Sequence, residues 1–145
     1  MTTDHERFMR AALEEAHKGK AEGNVAVGSI IVRDGEVIAR GRNLVATESD
    51  PTAHAETVAI RNAALAIGQT DFPDCYLYTT FEPCPMCAGA IMNANFEAVV
   101  LGGRPTPSNT RWADYTMEKL VEMAGWSDRL TVVTGILSQE CVDVR

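Results

Sequence analysis

Two apolar runs, Val25-Ala-Val-Gly-Ser-Ile-Ile-Val32 and Glu36-Val-Ile-Ala-Arg40, stand on either side of Asp34-Gly35. An Asp-Gly pair makes a tight turn whose twist suits paired antiparallel strands, so this segment is expected to be a β-hairpin. The segments beyond the hairpin limit the fold further. Strand-like runs at Cys75-Tyr-Leu-Tyr-Thr-Thr80, Glu97-Ala-Val-Val-Leu101 and Leu130-Thr-Val-Val-Thr134 are separated by stretches of helical length. Such alternation predicts an α/β fold, a sheet with helices on both faces and five strands at its core. Periodicity alone does not give the strand order.

Helix ends are marked by composition. Residues 4–18 place Phe8, Ala11, Ala12, Leu13 and Ala16 on roughly one helical face and stop near Gly19. Asp50-Pro51 reads as a helix start, because Asp can cap free N–H groups and Pro has no N–H to lose. That helix is expected to run to Ile67 and end at Gly68. Cys84-Pro85 repeats the pattern and opens a helix to about Asn95. Gly102-Gly103 closes the fourth strand, a Pro/Ser/Asn/Thr-rich loop spans 104–111, and a short helix is expected around 114–124. Without repeats, low-complexity tracts or linkers, residues 1–145 are expected to form a single domain.

A chain of 145 residues with 46% hydrophobic and 23% charged side chains can bury a real core. No apolar stretch approaches the roughly 18 residues of a membrane span. Met1-Thr-Thr-Asp-His-Glu-Arg7 lacks the basic start and apolar core of an export signal, so a cytoplasmic location is expected. The net charge is −7, and from Pro83 onward five basic residues face seven acids. Proteins that grip long polyanions usually cluster Lys and Arg, so nucleic acid is an unlikely partner and a small molecule is expected instead.

The chemistry concentrates in His54-Ala55-Glu56 and Pro83-Cys84-Pro85-Met86-Cys87. Cys84 and Cys87 are three apart and share a helical face, so both can reach one ion. At a helix N-terminus their thiolates are favoured by the helix dipole. His54 supplies a third ligand from another helix. Three protein ligands leave one tetrahedral position for water, whose pKa zinc lowers to about 7. In the first turn of its helix Glu56 can lean toward that water, take its proton and later protonate a departing amine. Cys75 is the rival fourth ligand, which would close the site and make it structural. Otherwise Cys75 and Cys141 are core residues, and His5 and His17 solvated side chains.

Together these residues match the His-x-Glu…Pro-Cys-x-x-Cys pattern of zinc deaminases, and the chain resembles the cytidine deaminase-like superfamily over most of its length. Asn43-Leu-Val-Ala-Thr-Glu-Ser-Asp-Pro-Thr-Ala-His54-Ala-Glu56 and Glu82-Pro-Cys84-Pro-Met-Cys87-Ala-Gly-Ala-Ile are similar to segments of bacterial guanine deaminases and tRNA-adenosine deaminases. The resemblance implies a three-layer αβα sandwich with a central five-stranded mixed sheet, a homodimer, one zinc ion held by His54, Cys84 and Cys87, and Glu56 as proton shuttle. It further implies substrate contacts from Asn43, from the Ala55 backbone N–H and from Trp112, with Asp114 taking part in proton handling. Val142-Asp-Val-Arg145 resembles neither the basic final helix of the tRNA enzymes nor the closing segment of guanine deaminases, so RNA binding and a covered pocket are not expected.

The function expected first is therefore zinc-dependent hydrolytic deamination of a small aminated ring, guanine-like in preference to cytosine or a nucleoside. Two alternatives stand beside it. One is adenosine-to-inosine deamination in tRNA, and the other is a non-catalytic zinc module.

Overall fold

The computed structural model describes residues 2–145, with side chains from residue 4 onward. Met1, the first residue of the segment read for an export signal, lies outside the described residues. The elements run α1 (Thr2–Ala21), β1 (Gly28–Arg33), β2 (Glu36–Arg42), α2 (Val45–Glu48), α3 (Ala55–Ile67), β3 (Cys75–Phe81), α4 (Pro85–Asn93), β4 (Ala98–Gly103), α5 (Met117–Met123), β5 (Thr131–Val133) and α6 (Ser138–Val144). The sheet order is β2-β1-β3-β4-β5. β1 pairs antiparallel with both β2 and β3, whereas β3, β4 and β5 run parallel. The hairpin turn is Asp34-Gly35, with both residues at positive φ (52° and 78°).

Side-chain alternation along the strands builds the layers. Cys75 and Leu77 of β3, with Val99 and Leu101 of β4, join Ala59, Ala63, Ala88, Ile91 and Met117 in a core under α3, α4 and α5. Tyr78 and Val100 point the other way, to Phe8, Met9, Ala12 and Ala16 of α1 and to Cys141 and Val144 of α6. This is the three-layer αβα sandwich. Among the described residues no helix is long and apolar enough to cross a membrane.

Two glycines let helices sit close on the sheet. A Cβ on Gly28 would lie 2.0 Å from the Ala12 carbonyl oxygen of α1, and one on Gly41 would lie 2.4 Å from the Ala59 nitrogen of α3. The second contact matters for chemistry, because it seats the helix that begins beside His54.

Several elements differ from the sequence expectation. Asp50-Pro51 does not start α3; the Asp50 carboxylate accepts the Thr52 N–H at 2.8 Å, a local turn that competes with helix. α3 begins at Ala55, and an additional helical turn, α2, precedes it. α5 starts at Met117 because the Thr116 hydroxyl accepts the Lys119 N–H, so Thr116 is the cap. Finally, α6 was not anticipated. Its apolar face is only Cys141 and Val144, and seven residues carry too little periodicity to stand out. His5 is also not simply solvated, since its Nδ1 lies 2.7 Å from the Tyr78 hydroxyl.

Candidate active site

His54 and Cys84 hold the same station on two different helices. Each is an N-cap residue, His54 of α3 and Cys84 of α4, with extended backbone (φ −74°, ψ 159° and φ −67°, ψ 170°). Neither side chain caps its own helix, so both remain available to a common ligand. Cys87 lies in the first turn of α4, on the face its spacing from Cys84 predicts. His54 Nδ1 lies 3.6 Å from Cys84 Sγ and 3.5 Å from Cys87 Sγ, and all three donor atoms fall within 4.8 Å of one another.

Those separations can be checked against zinc. Bonds of about 2.3 Å to sulfur and about 2.05 Å to nitrogen at a tetrahedral angle put the two donors about 3.6 Å apart. The donor set fits one zinc ion. Cys84 is poised as a thiolate, its pKa pushed down to about 4 by the Cys87 thiol and further by His54. The Cys84 sulfur correspondingly raises the pKa of His54, and donation to that sulfur pushes the Cys87 thiol up. Cys75 stays apart. It is fully buried at the start of β3, its thiol pushed up to about 12 chiefly by burial. Among the described residues the metal-binding group is His54, Cys84 and Cys87, so the closed four-ligand site does not form.

Glu56, the second residue of α3, is 3% exposed. Because His54 precedes the helix, the two-residue spacing does not turn Glu56 away. His54, Glu56 and Cys84 line one cavity of about 650 Å³. Burial pushes the Glu56 carboxyl above its ordinary range, and the Thr79 hydroxyl donates to its Oε2 at 3.1 Å.

The cavity opens where the parallel strands β3 and β4 end, the usual ligand position in an open α/β sheet. Asn43 is on its wall and 7% exposed. Its side-chain oxygen accepts the Val45 N–H at 3.0 Å, which leaves its NH2 to face a ligand. Ala55 opens α3 with a buried side chain that is not on the cavity wall; its backbone N–H sits among those a helix start leaves without intrahelical partners. Trp112 lines the cavity. Asp114 does not: its side chain is 95% exposed and pairs with Lys119 at 3.7 Å. It therefore neither reaches the site nor caps α5.

Several wall residues escaped sequence reasoning. Tyr115 lines the cavity and its hydroxyl donates to the Pro83 carbonyl beside Cys84. Phe81, Val142 and Arg145 also line it, so α6 supplies a wall where none was expected. For Tyr115 the signal was its place directly after the Trp112-Ala-Asp114 segment; for Arg145 there was none.

A family model described as the cytidine and deoxycytidylate deaminase zinc-binding region matches residues 2–103. The chain is similar to a tRNA-specific adenosine deaminase of Bacillus subtilis (strain 168), 37% identical over 139 residues, which cover 96% of this chain and 84% of that one. It is also similar to a guanine deaminase of the same organism, 46% identical over 104 residues, 71% of this chain and 67% of the other. A solved structure from work on A-to-I editing by tRNA:A34 deaminases at the wobble position of transfer RNA superposes with a TM-score of 0.81 at 32% identity, covering 96% of this chain and 99% of its own.

Proposed function

The chain belongs to the cytidine and deoxycytidylate deaminase zinc-binding family, a group of hydrolases acting on C–N bonds, and on that premise we propose that it removes the exocyclic amine of a guanine-like purine ring. The observation that carries this reading is a buried carboxylate, Glu56, lining one cavity with His54 and Cys84 of the His54/Cys84/Cys87 group.

When bound, zinc supplies a fourth position at which water is acidified to near neutrality. Glu56 takes a proton from the attacking water, passes it to a ring nitrogen, and delivers the proton with which the amine leaves as ammonia. Burial serves this role, since a carboxyl held above its ordinary range keeps a proton more readily than an exposed one. Asn43 offers its NH2 to a ring carbonyl or nitrogen, and Trp112 offers an aromatic wall. The preference for a guanine-like ring draws support from the 46% identity to a guanine deaminase over 104 residues. Pairing into a homodimer belongs to the same reading, and sedimentation of the zinc-loaded chain tests it.

A second reading, adenosine in tRNA, is favoured by the similarity to tRNA-specific adenosine deaminase along nearly the whole chain and by the cavity wall. Arg111 lies over the Trp112 ring at 4.7 Å and Arg145 over Phe81 at 4.0 Å. Among the described residues no carboxylate pairs with either guanidinium, whereas Arg104 is paired with Glu82 and Glu118. Two unpaired cations at one cavity suit a phosphate on the substrate, against the acidic balance of the chain as a whole.

Ammonia release from free bases, nucleosides, nucleoside monophosphates and a tRNA anticodon stem-loop separates the readings. Release from guanine supports the first, release confined to adenosine in RNA replaces it with the second, and none from any substrate sinks both.

A further inference from the structure

The Thr79 hydroxyl touches two acceptors. Its Oγ1 lies 3.1 Å from Glu56 Oε2 and 3.4 Å from the backbone carbonyl of Phe81. Thr79 is 0% exposed and Glu56 3%, so bulk water does not compete for either contact. Strand geometry puts the hydroxyl there. Thr79 follows Leu77 on the α3 side of β3, opposite Ser29 of β1, and two residues later the strand ends at Phe81 and leads into Cys84.

A hydroxyl has one proton to give and lone pairs to receive with. When Glu56 is ionised, its carboxylate is the stronger acceptor and takes the Thr79 proton. When Glu56 carries a proton, the hydroxyl can turn that proton to the Phe81 carbonyl and accept the Glu56 O–H instead. Both states of the carboxyl then keep a partner. A backbone N–H can donate to either state but cannot accept the O–H of the protonated one.

We propose that Thr79 is a positioning residue that holds Glu56 through both halves of its proton transfer, its hydroxyl alternating between Glu56 Oε2 and the Phe81 carbonyl. In the first half an O–H bond of the attacking water breaks and one forms on Glu56. That bond breaks as the proton goes to a ring nitrogen and the water oxygen bonds to the ring carbon; in the second half the remaining O–H proton crosses Glu56 to the amine, the C–N bond breaks and ammonia leaves a ring carbonyl, so water and amine are consumed one for one. The step rests on the deaminase reading, but the tie between Thr79 and Glu56 does not.

Three variants test it. Thr79→Val keeps the shape and removes donor and acceptor, and Thr79→Ser keeps the hydroxyl. Ser29→Ala removes the neighbouring buried hydroxyl, which has no hydrogen-bond partner. All three are expected to retain one zinc per chain. Thr79→Val is expected to lower kcat about ten- to hundredfold while KM moves less than about threefold. Thr79→Ser should recover to within about fivefold and Ser29→Ala stay within about twofold. Urea unfolding of the metal-free chain gives a readout independent of turnover. The midpoint shifts of Thr79→Val and Glu56→Ala should fall short of additive in the double variant. Should the Val chain not fold, Thr79→Ala takes its place.

An unchanged kcat, an effect confined to KM, or equal losses in Thr79→Val and Ser29→Ala would overturn the proposal. Additive unfolding shifts would remove the Thr79–Glu56 tie whatever the substrate. A wild-type chain that releases no ammonia while its shifts remain non-additive would instead remove the deaminase reading, and with it the alternation.

Discussion

The Arg145 guanidinium lies 4.0 Å from the centroid of the Phe81 ring, which ties the segment after α6 to the strand that leads into the metal ligands. Val142 lines the same cavity, and the Ser138 hydroxyl anchors the start of α6 by donating to the Gly102 carbonyl at 3.0 Å. The cavity is thus walled on one side by α6.

Removing that wall should weaken substrate binding more than chemistry. Arg145→Ala forfeits a cation–aromatic contact on the cavity wall, expected to raise KM about two- to thirtyfold with a smaller change in kcat. Steady-state ammonia release measures it. If the substrate carries a phosphate, the loss should be larger for the nucleotide than for the nucleoside and should shrink in high salt.

Metal retention should depend on three residues and not on a fourth. Cys84→Ser and Cys87→Ser are expected to lose zinc, read as metal per chain after gel filtration. Cys75→Ser, whose sulfur lies outside the donor group, should keep both zinc and activity. Loss of zinc from that variant would restore the closed structural site.

Glu56→Gln keeps the size of the side chain and discards its proton transfer. We expect kcat to fall about 10²- to 10⁴-fold with zinc content unchanged. Equal rates of ammonia release in variant and wild type would rule Glu56 out as the shuttle.

Alkaline stability should report two thiols far from the cavity chemistry. Cys75 and Cys141 are each pushed up from 9.0 to about 12, chiefly by burial. The folded chain therefore holds protons that the unfolded chain releases from about pH 9 upward. The stability these groups contribute is full below that pH and falls as pH rises toward about 12. Urea unfolding at pH 8 and pH 10.5 should show a drop in wild type that is smaller in the Cys75→Ala/Cys141→Ala double variant.

Gly41→Ala should damage fold and site together. The added Cβ would lie 2.4 Å from the Ala59 nitrogen and 2.5 Å from the Ala55 oxygen, and backbone cannot swing aside as a side chain does. A destabilisation of about 1–3 kcal/mol is expected, visible in the thermal midpoint, with a loss of kcat because α3 is capped by the metal ligand His54.

The local signals that proved readable were strong ones acting over a few residues. Asp34-Gly35 is a turn in any context, the apolar runs around Cys75 and Glu97 are strands because they are buried on both faces, and Cys84-Pro85 starts a helix because proline has no N–H to lose. Asp50-Pro51 offered the same signal and misled, since the Asp50 carboxylate closes its own turn on Thr52 instead. A side chain that can satisfy either of two nearby N–H groups does not announce which. Asp114 failed for a different reason. A place in a loop says nothing about the direction of its side chain, and here Lys119 and solvent hold it outside the cavity.

What the sequence determined by itself was the donor chemistry and the elements that carry it: His54, Cys84 and Cys87 at helix starts, Glu56 beside them, and alternating strands that require a two-sided sheet. Spacing along a chain is sufficient there, because the donor residues and Glu56 lie within one helical turn of two proline-marked or polar loops. Only the tertiary structure decided what encloses them. Thr79 reaches Glu56, Arg145 reaches Phe81 and Tyr115 reaches Pro83 across separations of 23, 64 and 32 residues, and contacts between distant segments arise from packing, for which neighbours in sequence hold no code.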